Sequence, residues 1–109
     1  MRVAAVVSDL LLFSKIEAAA SAAGASLLRA DEPVGLPADL DLILVDWSAR
    51  HPSWTDLLGQ LDGARLILFG PHTDLEAHAA ARDAGLGPMW ARSKLVADLP
   101  TLFGDRQRS

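Results

Sequence analysis

Polar residues stand directly after the apolar runs of this chain, and they hold most of its capacity for chemistry. Asp46 closes the run Asp41-Leu42-Ile43-Leu44-Val45-Asp46, and Ser8-Asp9 follows Val3 to Val7. Gly70-Pro71-His72 follows Arg65 to Phe69, and Arg92-Ser93-Lys94 follows Met89 to Ala91. Carboxylates are hard oxygen ligands suited to a divalent cation such as Mg²⁺. A guanidinium or ammonium balances the charge of a phosphoryl group, Arg with a two-pronged fork. These residues therefore suit phosphoryl chemistry at a metal, on condition that the fold brings them to one place.

The elements that would do so can be read from apolar pattern and punctuation. Val3–Val7, Ala25–Arg29, Leu40–Val45, Arg65–Phe69 and Met89–Ala91 read as strands, the third being the most apolar. Helices are expected over Leu11–Ala23 with Gly24 as a left-handed stop, and from Ser53 or Thr55 to Leu61, ended by Asp62-Gly63. A third is expected from Thr73, with Glu76 completing a capping box, to Gly85. A fourth is capped by Ser93 and carries Leu95, Val96, Leu99, Leu102 and Phe103, with a break or kink at Pro100. Asp31 to Pro37, with two prolines and a glycine, reads as a loop. The expectation is five strands alternating with five helices: an α/β, flavodoxin-like fold with a five-stranded parallel sheet in the order 2-1-3-4-5. In such a sheet, ligands collect beyond the carboxyl ends of the strands, where all the polar groups above would lie.

The bulk composition narrows the function classes. The chain has 109 residues, half of them hydrophobic and 22% charged, which fits one globular domain. Net charge is −4 and the ten Lys and Arg are scattered, so nucleic acid is not an expected partner. No cysteine is present, which excludes disulfides and thiol chemistry. No signal-peptide pattern or membrane-length apolar run occurs, and a cytoplasmic location without membrane attachment is expected. A P-loop and a Gly-x-Ser-x-Gly elbow are both missing.

Over residues 2–103 the chain resembles response-regulator receiver domains of the CheY-like superfamily. The resemblance rests on Val6-Val7-Ser8-Asp9, on Asp41 to Asp46, on Ala81-Arg82-Asp83-Ala84-Gly85, and on a basic residue after the last strand. It implies a receiver-like domain over 1–104 with a polar tail at 105–109. It implies Asp46 as phosphoacceptor and Mg²⁺ held by Asp9, Asp46 and the backbone carbonyl of Ser48. Arg92 or Lys94 would bind phosphate, Trp90 would be the aromatic switch, and the helix after Thr73, the last strand and the last helix would form the output face. The implied partner is a histidine kinase or another signalling protein, with a homodimer also admitted. The chain departs from the pattern at Ser8, where the second metal acid is expected, at Gly70, where Ser or Thr is expected, and at Arg92-Ser93, where Lys-Pro is expected.

These departures point to an atypical or pseudo-receiver: a stand-alone, non-enzymatic signalling domain acting through protein contacts, with Mg²⁺-dependent phosphorylation of Asp46 weakened or lost. The alternatives are a phosphorylatable single-domain regulator and a small-molecule-binding flavodoxin-like module. Asp46 also reads as a turn residue and Asp9 as a plain helix cap. His51 and His78 read as surface or loop residues, whereas His72 is expected on the functional rim. Trp90 and Trp47 read either as core or, for Trp47, as a partner-binding anchor beside Asp46.

Overall fold

The structure is a computed structural model and describes residues 1–61 and 63–104. Asp62, part of the expected helix stop, and the expected tail at 105–109 lie outside the described residues. The strands are β1 (Arg2–Val6), β2 (Ser26–Ala30), β3 (Leu42–Asp46), β4 (Arg65–Gly70) and β5 (Trp90–Ala91). All pair in parallel, in the order β2-β1-β3-β4-β5. The helices are α1 (Leu10–Ala22), α2 (Trp54–Gly59), α3 (Leu75–Asp83) and α4 (Arg92–Gly104), with a 3₁₀ turn at Trp47–Ala49.

Alternation along the strands decides which helix each residue meets. Val3, Ala5, Val7, Leu42, Leu44, Ile67 and Phe69 face one way and pack with Leu12 and Ile16 of α1 and Leu95, Leu99 and Phe103 of α4. Ala4, Val6, Ile43, Val45 and Leu68 face the other way, against Trp54 and Leu58 of α2 and Ala77 and Ala81 of α3. Because β3 is buried along its whole length, its sequence is an unbroken apolar run rather than an alternating one.

The expected fold class holds, with local corrections. Among the described residues there are four α-helices rather than five, because β2 and β3 are joined by the loop that Asp31 to Pro37 announce. Pro33 and Pro37 oppose helix there, and Gly35 has φ +68°. The cap of α3 is Asp74, whose side chain accepts from the Ala77 amide, and not Thr73. Ser53 makes no side-chain cap bond; its hydroxyl meets His51 Nδ1 at 2.9 Å instead. α4 starts at Arg92 straight from β5 and runs on through Pro100. The expected stops after α1 and α3 are present. Gly24 has φ +72° and Gly85 φ +70°. The amide after each reaches back to a carbonyl in the last turn, Ala25 to Ala20 at 2.9 Å and Leu86 to Ala81 at 3.1 Å. No helix among the described residues is long and apolar enough to cross a membrane.

Candidate functional site at the carboxyl ends of the strands

Leu42 and Leu44 face α1 and α4, so the period of two turns Asp46 towards the same side. α1 begins there with its cap Asp9, and α4 begins there with Arg92. The topology thus brings together groups from three distant parts of the chain. Arg92 Nη1 donates to Asp9 Oδ2 at 3.3 Å, and Arg92 Nη2 donates to Asp46 Oδ2 at 3.5 Å. One guanidinium spans both carboxylates.

The remaining oxygens are also engaged. Asp9 Oδ1 accepts the amides of Leu11 and Leu12 at 3.0 and 3.2 Å, so Asp9 is helix cap and ion-pair partner at once, one oxygen for each duty. Asp46 Oδ1 accepts the Ser48 amide at 3.2 Å and the Ser48 hydroxyl at 2.5 Å. The Asp46 side chain is only 7% exposed, whereas that of Arg92 is 40% exposed. A carboxylate so far removed from water needs such partners to stay ionised at modest cost. The Arg92 Nε is buried without a hydrogen-bond partner, which offsets part of the gain.

The donor set fits Mg²⁺ poorly. Such an ion takes close to octahedral oxygen ligation. Here both carboxylates are bridged by a guanidinium, and their other oxygens serve the α1 cap and Ser48. Among the described residues no group of three or more His, Asp or Glu side chains is placed to hold a metal.

Other expected site residues lie elsewhere. Lys94 is turned away from the carboxylates: its Nζ pairs with Asp98 at 2.9 Å and sits 4.4 Å from the centre of the Trp90 ring. Its ammonium thus lies over Trp90 and away from the two carboxylates in this structure. Trp47 is 1% exposed, and its Nε1 donates to the Ala77 carbonyl at 3.0 Å. That bond ties the turn after Asp46 to α3, and burial removes Trp47 as a partner-binding anchor. Trp90 is half-buried at the edge of the core. His72 lies not beside Asp46 but in a separate groove along α3. For Ser48, the groups bonded to Asp46 are its amide and hydroxyl.

A contact not foreseen from sequence explains Gly70. A Cβ built there would stand 3.2 Å from Met89 Cε, 3.3 Å from Met89 Sδ and 3.4 Å from Ser48 Cβ. The tip of Met89 crowds the place of a side chain ending β4, and would have to give by a few tenths of an ångström to admit one. The sequence signal was the pairing of a bare glycine with a large flexible residue one strand away.

No protein-family model matches this chain, and no curated protein sequence matches it. Among solved structures it is similar to a response regulator receiver domain protein from Clostridium thermocellum, with a TM-score of 0.63 and 14% sequence identity. The match covers 98% of this chain and 96% of the other. At that identity the likeness establishes a shared receiver-like fold.

Proposed function

We propose that this chain is a receiver-like signal-transduction domain that acts by binding another protein, with Asp46 held by an internal cation rather than switched by metal-dependent phosphorylation. The observation that carries this reading is the single Arg92 guanidinium reaching both Asp9 and Asp46. A fixed positive charge beside two carboxylates does the neutralising work of a dication without recruiting one. Gly70 adds support, since it offers no hydroxyl to a phosphoryl group and the tip of Met89 crowds the place a side chain would take there. The reading assigns the chain no catalysis of its own, a cytoplasmic setting, and a signalling protein as partner rather than nucleic acid. The contact face would be α3, β5 and α4, with Trp90 near its centre.

The phosphorylatable alternative draws on one observation. Arg92 is 40% exposed and its two bonds are long, so its fork is free to turn towards an incoming phosphoryl group. Intact mass spectrometry after incubation with Mg²⁺ and acetyl phosphate separates the two. The expected result is an unchanged mass. A phosphoryl adduct that vanishes in Asp46→Asn overturns the reading. On the binding side, Trp90→Ala is expected to weaken partner capture, and unchanged capture counts against the face named.

A further inference from the structure

A groove of about 700 Å³ runs beside α3, lined by His72, Leu75, His78, Arg82, Met89 and Pro88 together with Gly85 and Gly87. None of its lining residues is Asp9, Asp46 or Arg92. Helix geometry builds one wall: Leu75, His78 and Arg82 follow at i, i+3 and i+7 and share a face, while Ala77 and Ala81 turn to the core. The other wall is the turn leading to β5. Its Gly85 and Gly87 have φ +70° and +87°, and a Cβ at either would meet nothing within 4 Å, so the turn leaves the groove open.

The lining has a definite chemistry. Leu75, 75% exposed on α3, gives the groove an apolar body together with Met89 and Pro88. The polar lining residues are all basic or imidazole, and no acid lines the groove. Among the described residues, the side chains of His72, His78 and Arg82 make no hydrogen bond or ion pair. In a chain of net charge −4, such a set of unpartnered nitrogen donors beside an apolar surface is complementary to one kind of occupant. The volume falls within the roughly 300–1,000 Å³ range of small-molecule clefts.

We propose that this groove binds a small amphipathic carboxylate, its apolar body on Leu75, Pro88 and Met89 and its carboxylate on Arg82 with the imidazoles of His78 and His72. The proposal stands independently of the signalling reading. Met89 also fills the space above Gly70 beside Ser48, so an occupant that presses on Met89 acts one contact away from the hydrogen bonds of Asp46.

Isothermal titration of the full chain with decanoate and with decanol, which lacks the charge, tests this. Saturable one-to-one binding of decanoate, weaker by about tenfold or more for decanol, is expected from the loss of a charge-assisted bond. Arg82→Glu, at an exposed position, is expected to weaken decanoate binding by a similar factor and leave decanol unchanged. Absence of saturable binding, equal binding of the two probes, or indifference to Arg82→Glu overturns the proposal. Sedimentation velocity of wild type and Leu75→Asp covers the rival occupant. A dimer that Leu75→Asp dissociates, with no decanoate binding, assigns the groove to a second copy of the chain and also overturns it.

Discussion

Arg92 Nη2 lies 3.5 Å from Asp46 Oδ2, joining the first residue of the last helix to the last residue of the central strand. Asp46 is nearly closed to water and Arg92 is not, so the pair is best treated as a buried carboxylate with a half-exposed lid. Removing the lid leaves Asp46 and Asp9 without the cation they share, each keeping only the donors on its other oxygen. Breaking a fully buried pair costs about 3–5 kcal/mol, and the exposure of Arg92 lowers this. Arg92→Gln is therefore expected to lose about 1–2 kcal/mol in urea unfolding. The two freed carboxylates would then form a site for a dication: MgCl₂ should raise the unfolding midpoint of Arg92→Gln and leave that of wild type unmoved beyond the effect of an equal ionic strength of NaCl.

Asp9 serves α1 with one oxygen and Arg92 with the other, and two substitutions separate the duties. Asp9→Asn keeps an acceptor for the helix amides and gives up the charge. Asp9→Ala gives up both. Loss of a cap alone is worth roughly 0.5–2 kcal/mol. Thermal or urea unfolding should place Asp9→Ala below Asp9→Asn by about 1 kcal/mol.

A side chain at Gly70 would crowd the flexible tip of Met89. Gly70→Ser is expected to cost about 1–3 kcal/mol through overpacking, and Met89→Ala to cost about 2–5 kcal/mol through a cavity. The double variant should be more stable than the sum of the two losses implies, because each change relieves the other. A double-mutant cycle by chemical denaturation measures this, and simple additivity would show that Met89 yields freely.

Trp47 and Ala77 are joined by the indole hydrogen bond. Trp47→Phe keeps most of the apolar bulk but gives up the donor, and about 1–2 kcal/mol of stability should go with it. Partner capture should be unchanged in the folded variant, in contrast to Trp90→Ala. Reduced capture by folded Trp47→Phe would return Trp47 to the interface.

The fold was legible because β1, β3 and β4 carry unbroken apolar runs, and because Gly24 and Gly85 stand where helices must stop. The meeting of Asp9, Asp46 and Arg92 on one rim followed from topology alone. Their bonding did not: whether Arg92 reaches inward while Lys94 turns out onto Trp90 depends on the direction each side chain leaves the first turn of α4, which no linear pattern records. The two readings of Trp47, core and interface anchor, were inseparable in the sequence for a related reason. Its place after Asp46 suggested the rim, but the 3₁₀ turn carries it to the opposite face of the sheet, among the residues packed on α3. Pro33, Gly35 and Pro37 marked the loop between β2 and β3 correctly, and only the count of five helices, drawn from the regular alternation of the fold, ran past them.

That irregular stretch, residues 31–41, gives the molecule a place to change length. Val34 near its middle is 60% exposed, while Pro33 and Leu40 on either side are buried and hold the stretch to the core. Lengthening a surface loop is cheap, about 0.6 kcal/mol for each doubling. A reporter, an epitope or a second small domain spliced at Val34 is expected to leave Asp9, Asp46, Arg92 and the α3 groove in place, because none of their residues lies on this stretch.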